Sequence, residues 1–299
     1  MKTSLKSIII TLAIPFAPLL KRIPKTIWKI RYQKDYKKSL NLKKPQLFME
    51  KIIWLSLYSD TSMWGKLADK YTVREYVKSK CGEQYLNKIY AVYKTTSDIN
   101  YELLPDSFVL KTTNGCATNI LVRDKAHLNQ KETNRKLNKW LKFPYGELTG
   151  QLHYTRTKPL IIAEEFLNQE VGNKQSLIDY KFFCFNGVPK YVVIYSDREE
   201  NTHNYSVMVY DMDWKAYPGF VNPRCPISDI IPRPVALDEM ISIASRLSQP
   251  FPFVRVDLYL IKGHPIFGEM TFTPDVVSNI TTELTDQMSK WIDIIALKQ

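Results

Sequence analysis

The sequence predicts an α+β protein, on three observations. Runs of β-branched and aromatic residues bounded by turn signals recur after residue 88, and apolar residues fall at helical spacing over 47–60 and 236–248. The two kinds of segment mix without strict alternation, which favours α+β layers over a parallel βαβ array. With 299 residues, 44% of them apolar, the chain can bury a real core as one large domain or two small ones.

Residues 1–51 hold 13 Lys/Arg against Asp35 and Glu50, a local charge of 13 − 2 = +11 out of +12 for the whole chain. Within them "SIIITLAIPFAPLL" (7–20) is an apolar run bracketed by Lys2, Lys6, Lys21 and Arg22. It is shorter than the about 20 apolar residues that a bilayer span needs. No A-x-A cleavage site follows it, which argues against an exported leader. Pro15 and Pro18 interrupt a long helix, and two readings stand for residues 1–46. They form an anchor whose basic cluster over 21–44 meets an anionic membrane surface, or a helix packed on the protein's own core.

No nucleic-acid module follows the basic cluster, so no nucleic-acid partner is expected. The cysteines Cys81, Cys116, Cys184 and Cys225 lie far apart without C-x-x-C spacing, and the histidines are equally scattered. Neither a zinc site nor a disulfide framework is suggested. The expected location is cytoplasmic, peripheral at the inner face of the cytoplasmic membrane if the anchor reading holds.

After the basic segment, "LFMEKIIWLSLYSD" (47–60) and 61–82 read as two helices, the second stopped by Gly82. Strands follow at 88–94, 107–113, 119–124 and 159–167, with a helix over 125–143 that carries basic outer positions. "IDYKFFCFNGVPKYVVIYSD" (178–197) is a hairpin turning at Asn186-Gly187, a dipeptide suited to positive φ. A second hairpin is read at 207–217, then the helix 236–248 with Asp238 and Glu239 in its first turn. A third hairpin covers "RVDLYLIKGHPIFGEMTFTP" (255–274).

The third hairpin carries two acids where a strand normally buries apolar side chains. Alternation puts Arg255, Asp257 and Tyr259 on one face, and Glu269, Thr271 and Thr273 on one face of the returning strand. A three-residue loop, Lys262-Gly263-His264, sets Asp257 opposite Glu269; a two-residue loop puts the acids on opposite faces. Opposed carboxylates repel unless a cation lies between them, either a hard ion such as Mg²⁺ or Arg255 itself. Upstream, "FVLKTTNGCATNILV" (108–122) joins a strand ending in Lys111 to a Gly-containing turn able to cradle phosphate oxygens. Asp179 and Lys181 share one face of an aromatic strand.

The order Lys, small-residue loop, Glu-Glu-aromatic-aliphatic, Asp-x-Lys, Arg-x-Asp, Glu-x-Thr resembles the ATP-grasp superfamily, and specifically TupA-like ATP-grasp proteins of bacterial capsule and cell-wall polysaccharide biosynthesis. The resemblance covers roughly 41–274 and is strongest in "LADKYTVREYV", "LPDSFVLKTTNG", "IIAEEFL", "DYKFFCFNG" and "GEMTFTP". It implies an ATP-grasp fold of two α+β lobes enclosing an ATP site, preceded by the basic N-terminal helical segment. Under it, 47–104 is a helical region before the fold proper, 105–167 the lid lobe and 168–299 the C-terminal lobe.

It also implies site residues. Lys70 and Lys111 reach the phosphates, and the loop with Asn114 and Gly115 closes over them. Glu164, Glu165, Phe166 and Leu167 receive adenine, and Asp179 faces ribose or phosphate with Lys181 nearby. Asp257 and Glu269 bind Mg²⁺, with Thr271 where the superfamily often has a third ligand, Asn. Arg255 steadies the charge of an acyl phosphate. The implied activity is ATP-dependent ligation of a carboxylate to an amine, with an anionic sugar or polysaccharide precursor of uronic-acid type and an amino acid or small amine as partners. A glycosyltransferase-like or phosphotransferase enzyme, and a degenerate nucleotide-binding scaffold, are the competing readings. The loop departs from the family's usual pattern by two lost glycines, which reduces its freedom at positive φ.

Overall fold

The computed structural model describes residues 14–167, 177–197, 204–275 and 278–298. The α+β class holds. The chain forms two compact units, each assembled from separate stretches: 1–40, 60–73 and 88–166 in the first, 41–59, 74–87 and 167–299 in the second. Residues 47–104 thus contribute to both.

The first unit is built on an antiparallel sheet of β1 (Ile89–Tyr93), β2 (Phe108–Thr112), β3 (Asn119–Val122) and β4 (Ile161–Glu164) in the order β1-β4-β2-β3. Leu110 and Ala163 pair in register, and with Phe108, Ile161 and Val122 they form the core against Leu137, Tyr101 and Leu104. Leu137 belongs to the helix Gln130–Leu141, which starts where Asn129 accepts a hydrogen bond from the Glu132 N–H. The helix expected from residue 125 starts later because the Asp124 carboxylate caps a 3₁₀ turn, Lys125–His127, ahead of it.

The helix Pro24–Tyr36 opens on proline, whose missing N–H is no loss in the first turn. It buries Ile27, Trp28 and Tyr32 in this unit, packing on the helix Tyr145–Thr149. Arg31 donates to the Thr149 carbonyl. One face of the basic segment is therefore packed on its own unit. Residues 1–13, with much of the apolar run, lie outside the described residues.

The single helix expected over 61–82 is two, Trp64–Ala68 and Val73–Lys80. Asp69 separates them: its Oδ1 accepts the N–H groups of Tyr71 at 3.0 Å and Thr72 at 2.9 Å. Such an Asx turn competes with the i→i−4 ladder, and helical periodicity does not reveal it.

The second unit holds β5 (Asp179–Phe185), β6 (Val188–Ser196), β7 (Ser206–Asp211), β8 (Val254–Ile261) and β9 (His264–Thr271), all antiparallel in the order β7-β6-β5-β8-β9. The helix Leu237–Ser248 covers β5, β6 and β8 with Leu237, Met240, Ile243, Ala244 and Leu247 buried. Phe48, opening the helix Phe48–Tyr58, packs against Phe185 and Phe253. Of the hairpin expected at 207–217 only the first arm is a strand. Asp211 turns its carboxylate onto the N–H groups of Asp213 and Lys215, and the return makes a single bridge, Tyr210 to Ala216.

Candidate functional site

The polar side chains of the second unit meet on one face of three neighbouring strands. Lys181 of β5 pairs in register with Asp257 of β8, and Asp257 with Glu269 of β9. The Lys181 ammonium lies 2.6 Å from Asp257 Oδ2 and 3.6 Å from Asp179 Oδ2. Arg255 lies two residues along β8. Its Nε donates to Asp257 Oδ1 at 2.6 Å, and its Nη2 to Asp257 Oδ2 at 2.6 Å and Glu269 Oε1 at 2.7 Å. Thr271, opposite Arg255, accepts from Nη2 at 3.0 Å and donates to Glu269 Oε1 at 2.8 Å. The opposed acids are thus held together by the protein's own guanidinium.

The acids face each other by a route that loop length alone would forbid. The turn has two residues, Lys262-Gly263, with φ of 50° and 81°, and Ile261 pairs with His264. That parity sets Leu258 against Phe267, and by itself would send Asp257 and Glu269 to opposite faces. Between Asp257 and Leu258 the register shifts by one, leaving Gly268 as an extra residue that returns Glu269 to the face of Asp257. A Cβ on Gly268 would lie 3.0 Å from the Asp257 carbonyl oxygen and 3.1 Å from the Tyr259 ring, so the bulge closes tightly only on glycine. The expectation of a three-residue loop is corrected: the acids pair because a bulge restores the parity.

Burial sets the electrostatics. Asp257 is 3% exposed at its side chain, whereas Glu269 is 40% exposed. Burial raises the pKa of Asp257, opposed by the charges of Arg255 and Lys181 beside it. Burial disfavours the charge on Arg255, but Asp257 and Glu269 outweigh it and hold the guanidinium protonated above its ordinary range. Tyr259 completes the face. The charge of Asp179, then burial, pushes its phenol well above the ordinary range, and its hydroxyl is hydrogen-bonded to Asp179. Tyr259 and Gly268 carried no assigned role in the sequence. Alternation placed the tyrosine beside Asp257, but nothing in the spacing distinguished Gly268 from a strand glycine.

The first unit assembles a different set. Lys111 at the end of β2 forms an ion pair with Glu164 at the end of β4. The two are diagonal neighbours, since Lys111 pairs with Ile162 and Glu164 with Val109. Lys70 donates to the Gly115 carbonyl at 2.7 Å, which ties the Asp69-Lys70 break to the loop between β2 and β3. In that loop Gly115 has φ 78° and Ala117 φ 57°, so one of the positions without glycine adopts the left-handed conformation regardless. A Cβ there costs roughly 1–2 kcal/mol. Thr112 and Asn114 each bury a side-chain oxygen with no hydrogen-bond partner among the described residues.

A wall of rings backs this loop. Gly115 lies against Tyr145, whose ring meets Tyr154 edge-on at 5.1 Å; His153 follows at 4.3 Å from Tyr154 and Trp64 at 5.7 Å from His153. Burial drives the His153 imidazole down to about 3, with Arg156 adding to the effect. Of the residues expected to receive adenine, Glu164 is buried and Glu165 is exposed with its N–H on the Lys88 carbonyl. The Arg123 guanidinium sits 5.0 Å from the Phe166 ring centroid, and Leu167 opens the last stretch of the second unit.

Solved structures with similar chain paths include the D-alanine–D-alanine ligase of Bacillus anthracis, with 12% identity over 83% of this chain and 67% of that one, and a TM-score of 0.42. The phosphoribosylamine–glycine ligase of Thermotoga maritima shows 14% identity over 70% and 48%, with a TM-score of 0.42. The L-amino acid ligase of Bacillus licheniformis shows 16% identity over 82% and 54%, with a TM-score of 0.46. This chain covers between 48% and 67% of their lengths, and likenesses this low bear on neither its substrate nor its activity. No curated protein matches it in sequence. Residues 50–292 match the family described as TupA-like ATPgrasp, a stretch that includes every candidate site residue from Lys70 to Thr271, and the chain belongs to that family.

Proposed function

We propose that this chain is an ATP-dependent carboxylate–amine ligase that amidates a sugar carboxylate of uronic-acid type with an amino acid or small amine, in the biosynthesis of a capsular or surface polysaccharide. The observation that carries the reading is the row Lys181, Asp257, Glu269 bridged by Arg255. It assembles charge for positioning and neutralising a phosphoryl group, and no nucleophile. Family membership supports ATP as the phosphoryl donor. The sugar and the polysaccharide setting rest on analogy with the family.

The donor set fits a hard divalent cation. Mg²⁺ takes oxygen ligands, commonly one or two carboxylates with waters and phosphates completing the shell. Asp257 and Glu269 offer such a pair, with the Thr271 hydroxyl 2.8 Å from Glu269 Oε1, although among the described residues no three His, Cys, Asp or Glu converge. When bound, Mg²⁺ would neutralise phosphate charge as it develops. Lys181 holds Asp257 in place and its charge opposes the effect of burial on the carboxyl, and Arg255 would turn from the acids to the acyl phosphate. Lys70, Lys111, Asn114 and Gly115 would hold phosphate oxygens, Glu164, Glu165, Phe166 and Leu167 the adenine, and Asp179 ribose or phosphate. The γ-phosphorus leaves its bridging oxygen for a carboxylate oxygen, releasing ADP. The amine then displaces phosphate from the acyl carbon and loses a proton, which yields the amide.

The test is ADP release with Mg·ATP, a panel of uronic acids and a panel of amines, with Asp257→Asn alongside. Turnover that requires both a carboxylate and an amine is the expected result. Turnover without any amine would favour a phosphotransferase, and no turnover with any pair would favour a nucleotide-binding scaffold. Undiminished turnover in Asp257→Asn would remove the metal assignment.

A further inference from the structure

We infer that the first unit docks on an anionic lipid surface through the outward face of the helix Pro24–Tyr36 and the turn ahead of it. The inference stands apart from the catalytic reading and uses none of its residues. At about 100° per residue, the face opposite Ile27, Trp28 and Tyr32 carries Thr26, Lys29, Ile30 and Gln33. Ile30 is 65% exposed, and Ile23 just before the helix is 45% exposed. In the preceding turn Phe16 and Leu19 are each 58% exposed.

Large apolar side chains on an outward face that interleave with Lys and Arg are the pattern of an interfacial helix. Over 14–40 the exposed charges are seven basic residues, Lys21, Arg22, Lys25, Lys29, Lys34, Lys37 and Lys38, against Asp35, so the exposed surface of this segment carries 7 − 1 = +6. A soluble polyanion would be met by those charges but would leave Phe16, Leu19, Ile23 and Ile30 in water. A second copy of the same segment would bring +6 against +6. A bilayer with anionic headgroups satisfies both components, taking the apolar side chains below the headgroups and the bases among them. Among the described residues no helix is long and apolar enough to cross a membrane, so the contact is lateral.

The experiment is co-sedimentation of the full chain with vesicles of phosphatidylcholine alone and of phosphatidylcholine mixed with phosphatidylglycerol. Binding to the mixed vesicles is expected, with little to the neutral ones. Ile23→Glu combined with Ile30→Glu should lower it by tenfold or more. Lys29→Gln should lower it about fivefold. Both isoleucines are exposed, so the thermal unfolding midpoint should not move. Undiminished binding by the double variant, equal binding to both vesicles, or no binding to either overturns the inference. Dimer formation without lipid that the double variant abolishes would overturn it in favour of a second copy.

Discussion

The β5-β8-β9 row of the second unit and the β2-β3 loop of the first carry the two halves of the candidate chemistry, and they are built on opposite principles. In the row, each carboxylate of Asp257 and Glu269 meets a cation at 2.6–2.7 Å, and a bulge closed on glycine holds the register. The loop instead stores strain at Ala117, buries oxygens of Asn114 and of Thr112 at its start with no partner among the described residues, and leans on a wall of rings. The row is a satisfied network in which the charged groups already meet partners. The loop keeps unmet hydrogen-bonding capacity, which a ligand can satisfy.

Four outcomes would break or sharpen that contrast. Asp257→Ala leaves Arg255 and Lys181 buried without their shared acid, and should cost about 3–5 kcal/mol in urea unfolding. Glu269→Gln, at the exposed end of the row, should cost no more than about 1 kcal/mol. Equal costs for the two would mean that burial does not organise the row.

Gly268→Ala should cost about 1–3 kcal/mol by forcing Cβ against the Asp257 carbonyl. It should also weaken Mn²⁺ binding measured by electron paramagnetic resonance. The β5–β6 hairpin supplies the control, since it shares a two-residue turn, Asn186-Gly187, and its own register shift places Lys190 as the extra residue. Lys190→Ala should cost no more than about 1 kcal/mol, because the half-buried lysine gives up only its ammonium over the Trp291 ring, 5.5 Å from the centroid. Deleting Gly268 makes a regular ladder that still sets Asp257 opposite Glu269, and should harm Mn²⁺ binding less than alanine does.

The ring wall behind the loop is sensitive to acid. His153 is neutral in the folded chain down to about 3, whereas an unfolded histidine protonates near 6.5. Its contribution is therefore complete above about pH 6.5 and is lost as pH falls toward 3, by about 1.4 kcal/mol at about pH 5.5. Urea midpoints across that range should fall, and His153→Gln should flatten the slope; a slope unchanged in that variant would assign the acid sensitivity elsewhere. The smallest effect is expected at Ala117→Gly. Relief of the left-handed strain less the added freedom of the unfolded chain should stabilise by up to about 1 kcal/mol, read as a rise in thermal midpoint.

Much of this was legible in residues taken singly. Alternation placed Arg255, Asp257 and Tyr259 on one face, Asn186-Gly187 announced its turn, and 159–167 read as a strand, of which Ile161–Glu164 forms β4. The motif order around Lys70, Lys111, Glu164 and Glu269 pointed to the family that the match over 50–292 shows. What could not be read were partners chosen across the chain. The pairing of Lys111 with Glu164 and the ring wall from Gly115 to Trp64 join residues whose proximity no local period encodes, and of the two cations the sequence allowed between the acids only the structure selects Arg255.

The sequence by itself determined which side chains share a strand face, where turns can form and which family the chain joins. These depend on backbone geometry with a period of two or 3.6 residues and on local dihedral preferences. Tertiary structure alone decided the register: it inserted Gly268 as the extra residue, and so set Asp257 against Glu269 despite a turn of the opposite parity. Register is a property of the closed hydrogen-bond ladder and of what packs on it. A one-residue shift leaves the sequence pattern of each strand unchanged and moves every side chain to the other face.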